Sequence, residues 1–318
     1  MSVGGCYVGS FSYALGRRKW SVEDSVAAGR TRTGAAELLD AGFRFHHACD
    51  DDETAYDVAE AAARSTGVAE VGADAIVYAT CIPANANLAD PARFAASGDV
   101  KDLMDFPASR LQAALGLGGA VVVGLDQQAC TGMLGSVRLA SALLGAEPGM
   151  ERVLCVGADR FPPGAAYEQA YSLISDGAGA CLVSRRPAGY RLLAAHHITN
   201  GALVSAGDDE TVGAYFSYTH RLVAELLAKA GVAAGELAWV VPQNTNLKAW
   251  QILSRLLSVD HERVWCPSLP DVAHVISADN MVNMAHLEAS GRARPGDKVL
   301  LAMAGYGMNW QALLLEKA

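Results

Sequence analysis

Gly119-Ala-Val-Val-Val-Gly-Leu-Asp-Gln-Gln-Ala-Cys130-Thr-Gly-Met-Leu-Gly135 is the stretch on which the fold reading turns. From Gly119 to Leu125 it is almost wholly apolar, as strands buried on both faces are. A tight turn follows, and a helix is expected from about Thr131, through Met133–Leu144. Such a turn places Cys130 near a helix N-terminus. Unpaired backbone N–H groups and the helix dipole favour a thiolate there. The same N–H groups can hold an oxyanion beside the sulfur. The residues alone leave two readings open: a nucleophile, or a small buried cysteine packed at a strand end.

Outward from this point, short Val/Ala/Gly-rich runs alternate with longer helical patterns. Strands are expected at Cys6–Phe11, Ala75–Thr80, Ala120–Leu125, Val153–Gly157, Gly179–Val183, Trp239–Val241, Arg263–Trp265 and Lys298–Met303. Helices are expected at Ala55–Thr66, Ala108–Leu115, Ala214–Ala230, Leu247–Leu256 and Met284–Ser290. Interleaved strands and helices imply an α/β architecture with crossover connections. A coarse duplication would divide the chain into residues 1–185 and 186–318, each half a sheet with covering helices. The polar stretch Ile82–Pro107 reads as an excursion from the core, at a subunit interface or an active-site mouth.

Composition narrows the classes. The chain has 318 residues, 51% hydrophobic and 19% charged, with mean hydropathy +0.17. That is enough apolar material for a core, which excludes a disordered chain. A formal charge of -9 argues against a nucleic-acid binder. Seven cysteines, an odd number without CxxC spacing, read as reduced thiols in the cytoplasm. The Arg17-Arg18-Lys19 cluster follows the apolar N-terminal residues, where a signal peptide would have its charge first. No uncharged apolar run reaches the ~18 residues of a membrane span, so a soluble protein is expected.

A nucleophilic cysteine needs a base, and the base an orienting group. His46, His47 and Cys49, just before Asp50-Asp51-Asp52, read as a solvated loop rather than metal ligands. His196-His197 reads as strand, His220 and His286 as helix, His261 as a surface turn. His274 opens His274-Val-Ile-Ser-Ala-Asp279-Asn280. A spacing of five fits neither one helical face nor one strand face, so His274 and Asp279 meet only if the chain turns between them. On spacing alone, a strand-end histidine and a turn aspartate is the simpler reading. Met303-Ala-Gly305-Tyr-Gly307-Met-Asn-Trp310 has two glycines that let backbone approach a substrate, or that form an ordinary turn.

Four of these motifs, in order and over nearly the whole chain, resemble the thiolase superfamily and, within it, β-ketoacyl-ACP synthase III. Gln128-Ala-Cys130-Thr-Gly132 is similar to the nucleophile motif. Ser175-Asp-Gly-Ala-Gly-Ala180 resembles Gly-Asp-Gly-Ala-Gly-Ala. Val241-Pro-Gln243-Asn-Thr-Asn-Leu247 lies where the family has Pro-His-Gln-Ala-Asn-Leu. Gly305-Tyr306-Gly307-Met-Asn-Trp310 replaces Gly-Gly-Gly-Phe-Thr-Trp. The resemblance implies a five-layer αβαβα thiolase fold from two pseudo-repeated halves, normally a homodimer. It implies an acyl thioester substrate, an acyl-Cys130 intermediate, and oxyanion donors from Cys130 and the Gly305–Gly307 turn. Condensing members use Cys, His and Asn. Their histidine position is Gln243 here, and an amide cannot act as a base near neutral pH. Asn280 aligns with their asparagine.

The His274 and Asp279 pair resembles the ketosynthase-III-like acyltransferases of antibiotic pathways, which carry Cys-His-Asp or Ser-His-Asp triads. That implies Cys130, His274 and Asp279 as catalytic residues, with no cofactor beyond an acyl-ACP or acyl-CoA substrate. Ala36–Phe43 lacks the tryptophan that CoA-using relatives stack on adenine, which favours an acyl carrier protein as donor. Lys248 and Arg255 match carrier-docking positions, and are equally readable as surface charge. Phe106 matches the residue that closes the neighbouring subunit's acyl pocket. The expected activity is acyl transfer to a hydroxyl, amine or carrier in specialised metabolism. The alternatives are decarboxylative carbon–carbon condensation and a non-catalytic partner subunit.

Overall fold

The computed structural model describes residues 5–85, 91–169, 172–306 and 308–318. The strands are β1 (Tyr7–Leu15), β2 (Ala75–Ala79), β3 (Val121–Leu125), β4 (Arg152–Asp159), β5 (Gly177–Ser184), β6 (Tyr190–Thr199), β7 (Leu237–Val241), β8 (Lys298–Gly305) and β9 (Asn309–Lys317). Among the described residues these nine join in the order β7-β8-β9-β6-β1-β5-β4-β2-β3. The ladder is parallel at β2–β3, β2–β4 and β7–β8, and antiparallel elsewhere. The five strands up to Ser184 and the four from Tyr190 meet at a short seam, where Tyr7 and Val8 face Arg191 and Tyr190.

Alternation along each strand sorts side chains into three cores. In β4, Val153 and Cys155 face one core, and Leu154 and Val156 another. In β8, Val299 and Leu301 face the first of these, and Leu300 and Ala302 a third. The shared middle core is filled by α3 (Gly132–Ala146) and α6 (Asp279–Ser290). The outer cores are covered by α1 (Ala55–Ser65) with α2 (Pro107–Ala114), and by α4 (Asp208–Ala230) with α5 (Leu247–Leu256). The layers therefore run αβαβα, the expected thiolase architecture. The helical stretch ending in α3 is apolar and long enough to cross a membrane, but 56% of it is buried between the sheets.

Four expectations fail locally. The Gly119–Leu125 run does not form a strand buried on both faces: β3 ends the nine-stranded order, and Val121 is exposed. Arg263–Trp265 is not a strand: a single turn covers His261–Arg263, and Val264 makes one bridge to Val240. The β9 strand was not among the expected ones, and of β6 only His196-His197 was read as strand. Leu313, Leu314 and Leu315 of β9 are all buried, on alternating faces, so their run shows no alternation in the sequence. His46 and Cys49 do not lie in a solvated loop. Phe45–Ala48 pairs with Arg18–Ser21 in a two-stranded sheet that holds His46, Cys49 follows it with its N–H donated to Asp176, and both residues are buried. His46 there has Nε2 2.5 Å from Ser25 Oγ and Nδ1 2.8 Å from the Ile174 carbonyl.

Candidate active site

The nucleophile turn forms where β3 gives way to α3. A single 3₁₀ turn, Ala129–Thr131, leads into the helix. Ala129 has φ +46°, a conformation that L-residues visit at a cost of about 1–3 kcal/mol. Bracing side chains hold it: Gln311 Nε2 donates to Gln128 Oε1 at 2.7 Å, and Thr131 Oγ1 donates to the Gln128 carbonyl at 2.7 Å. Gly135 leaves room for the Gln128 amide, which a Cβ there would overlap. Cys130 is thus buried at the head of α3, and its sulfur lines a cavity of about 140 Å³.

The turn that the His274–Asp279 spacing requires is present. His274 makes a bridge to Ile174, donating its N–H to the Leu173 carbonyl at 2.9 Å. Ala273 and Ile276 then take φ +54° and +47°, and the chain doubles back so that Asp279 opens α6. The helix starts five residues earlier than Met284–Ser290. Asp279 Oδ2 accepts from His274 Nδ1 at 2.5 Å and from the Asn244 N–H at 2.7 Å, while Oδ1 accepts from the Val275 N–H at 2.6 Å. Its place in the first turn of α6 adds the helix dipole to these donors. Glycines explain how strand β5 reaches this loop. A Cβ on Gly177 would meet Val275 Cγ1 at 2.7 Å, and one on Gly179 would meet Met281 Cβ at 2.8 Å.

Gln243 also lines the cavity. Its Oε1 accepts the Ala304 N–H at 3.1 Å, so its Nε2 faces His274 Nε2, 3.3 Å away. A donor there favours the unprotonated ring nitrogen. The Asp279 carboxyl at 2.5 Å favours the imidazolium, and this short contact outweighs the longer one to the amide. Burial works against charge on the His274 ring, yet Asp279 and Cys130 prevail and raise it to about 10. Cys130 moves the other way. A hydrogen bond from Cys81 favours its thiolate, burial opposes it, His274 favours it, and the thiol falls to about 5.

Asn280, aligned with the asparagine of condensing enzymes, does not stand beside Cys130. It is fully buried outside the cavity lining, and its Nδ2 donates to the Val241 carbonyl at 2.8 Å. Gly305 and Tyr306 line the cavity wall, and a Cβ on Gly305 would lie 2.9 Å from the Cys130 nitrogen. Gly307 lies outside the described residues. Phe106 is 58% exposed and outside this cavity. Lys248 and Arg255 are exposed on α5, with Lys248 paired to Asp40. A second cleft, lined by Glu37, Asp40, Lys248 and Ile252, shares Phe216, Asn246 and Ala249 with the Cys130 cavity.

Sequence reading missed Asn244 as a brace. Its N–H holds Asp279, and its Nδ2 donates to the Ala273 carbonyl at 3.0 Å. The signal was its position directly after Gln243 in a quoted motif. Cys81 and Asp159 were missed too, because they reach the site from strands far away in sequence.

Residues 126–201 match the family profile of 3-oxoacyl-(acyl-carrier-protein) synthase III, and residues 227–317 match the profile of its C-terminal part. A β-ketoacyl-(acyl-carrier-protein) synthase III of Rhizobium johnstonii is 26% identical over 306 residues, 86% of this chain and 88% of that protein. A solved synthase III structure from Pseudomonas aeruginosa superposes with TM-score 0.81 at 24% identity, covering 98% of both chains. A structure described as the acyltransferase ChlB3 superposes with TM-score 0.82 at 21% identity, again over 98% of both. The profiles match just over half of the chain, the relatives and the fold nearly all of it, and the chain therefore belongs to the thiolase superfamily, as a protein of the 3-oxoacyl-(acyl-carrier-protein) synthase III type.

Proposed function

We propose that this chain is an acyltransferase that moves an acyl group from a carrier-bound thioester, through acyl-Cys130, to a hydroxyl or amine acceptor in specialised metabolism. The observation that carries this reading is the buried His274–Asp279 pair opposite Cys130, with an amide at Gln243. The acyltransferase ChlB3 has the same fold.

Loading starts with the Cys130 thiolate attacking the thioester carbonyl. The Cys130 N–H and the Gly305 turn stabilise the oxyanion. Collapse breaks the donor's C–S bond, and the departing carrier thiolate takes the proton from His274. The acceptor then enters the cavity. His274, now neutral, removes its proton as it attacks the acyl carbon, and Asp279 stabilises the imidazolium that results. The second tetrahedral adduct expels the Cys130 thiolate and releases the ester or amide. Thiolate, imidazole and carboxylate suffice for these steps, without a cofactor. The donor enters by the cleft beside Lys248, and Lys248 with Arg255 docks an acidic carrier. Exposed Phe106 fits a role in the cavity of a second copy in a cytoplasmic homodimer.

Condensation is the second reading, favoured by the synthase name of the curated relatives. It needs a donor that stabilises the enolate of a decarboxylating malonyl group, and Gln243 replaces the histidine that supplies it. With an acyl and a malonyl thioester present, acyl transfer without carbon dioxide release supports the acyltransferase. Stoichiometric carbon dioxide and a β-keto product would establish the condensing enzyme.

A further inference from the structure

One group beside the nucleophile takes no bond-making part in this mechanism beyond its hydrogen bond to the Cys130 thiolate. Cys81 follows β2, and its Sγ lies 3.9 Å from Cys130 Sγ. Its position is held from behind. The Cys81 N–H donates to both oxygens of buried Asp159, at 2.9 and 3.1 Å, and the Ile82 N–H and Thr80 Oγ1 donate to Oδ1 at 2.9 and 2.7 Å. So braced, the loop keeps the second thiol against the first. A disulfide needs a sulfur separation of about 2.0 Å, so the two sulfurs have roughly 2 Å to close. Cys130 is the more reactive of the two, since its thiolate is favoured and burial and Cys130 itself hold Cys81 as the thiol. A low-pKa cysteine with a neighbouring thiol is the arrangement that peroxides oxidise reversibly. The cavity opens to Cys130, so a small oxidant can reach it.

We propose that Cys81 is the resolving thiol of Cys130, and that a hydroperoxide converts the pair into a disulfide which reversibly removes the nucleophile. The Cys130 thiolate attacks the terminal peroxide oxygen, breaking the O–O bond. Cys130 becomes a sulfenic acid, and the other oxygen leaves as hydroxide or alkoxide. The Cys81 sulfur then attacks the Cys130 sulfur. An S–S bond forms, the S–O bond breaks, and the Cys81 proton leaves with the sulfenic oxygen as water. The two thiols lose two electrons, and the peroxide gains them. One molecule of an exogenous dithiol reverses the change: its two thiols supply the two electrons and two protons, and it becomes a disulfide itself.

The whole protein is treated with hydrogen peroxide and followed by intact mass and peptide mapping. A linked pair of peptides containing Cys81 and Cys130, with a loss of about 2 Da, is expected. Dithiothreitol should restore iodoacetamide labelling of Cys130. Cys155 and Cys181 face each other across β4 and β5 but are fully buried, so they serve as an internal control. Cys81→Ser keeps a hydroxyl donor near Cys130 and cannot form the bond. In that variant the same exposure should drive Cys130 to the sulfinic acid, a gain of about 32 Da that dithiothreitol does not reverse. Wild-type protein with sulfinic Cys130 and no Cys81–Cys130 link would overturn the proposal. So would a link at Cys155–Cys181 alone, or recovery of Cys81→Ser to the wild-type extent. The wild-type linkage decides even if the variant fails to fold, and none of these readouts depends on acyl transfer.

Discussion

Cys130 is readable from its own neighbourhood. An apolar strand, a tight turn and a helix start all lie within seventeen consecutive residues, and local sequence sets local structure there. The His274–Asp279 contact is different. The two are five positions apart, and they meet because Ala273 and the β-branched Ile276 adopt positive φ. Nothing in either side chain announces that conformation; packing of β5 against the loop imposes it. Cys81 lies 49 positions from Cys130, beyond the reach of any spacing argument. The charge state of Cys130 yields a residue-scale prediction. Its thiolate is favoured down to about 5, so the rate of iodoacetamide labelling should rise with pH and reach half its plateau near that value. Cys81→Ala removes a donor to the thiolate, so the midpoint should move to higher pH. A wild-type midpoint at the ordinary thiol value of about 8.5 would show that the site does not stabilise the thiolate.

At the scale of elements, α1 and α5 were legible because amphipathic spacing, caps and flanking turns agree, and α3, which has no side-chain cap, from the turn that precedes its apolar run. Helix α5 begins at Leu247 after Asn246, whose Oδ1 caps the Ala249 N–H at 2.7 Å. The start of α6 was not legible: Asp279 and Asn280 read as turn residues, while tertiary burial draws them into the first helical turn. The β8–β9 hairpin is the element that brings Gly305 against the nucleophile turn. A methyl group there would press on the Cys130 nitrogen at 2.9 Å and displace a proposed oxyanion donor. Gly305→Ala should lower kcat by roughly 10²–10³-fold, the effect of losing such a donor. Binding of the donor thioester, read as KM, should change far less. A variant with wild-type kcat would remove this turn from the oxyanion site.

Over the whole molecule, the five-layer order was anticipated from the motif set, because four motifs in register carry more information than any one. Composition could not show where the chain concentrates its charge. The protein carries -9 overall, so an acidic carrier is repelled at long range and needs a local basic site. The α5 helix offers Lys248, which lines the cleft that adjoins the Cys130 cavity, and an exposed Arg255 further along the same helix. Lys248→Glu with Arg255→Glu should raise KM for a carrier-bound donor and leave a short N-acetylcysteamine thioester unaffected. Equal losses with both donors would place the docking surface elsewhere.

The central claim is that the base of this site is His274, oriented by Asp279, and not a group at the Gln243 position. His274→Ala and Gln243→Ala, each shown to be folded, can be loaded with an acyl group on Cys130. The single-turnover decay of that adduct in a primary alcohol is then followed by intact mass. The account predicts that His274→Ala slows transfer by roughly 10²–10⁴-fold, the range for loss of a general base, and that Gln243→Ala stays within about tenfold of wild type, since one weak polar contact is at stake. A stalled Gln243→Ala adduct beside an active His274→Ala would contradict it.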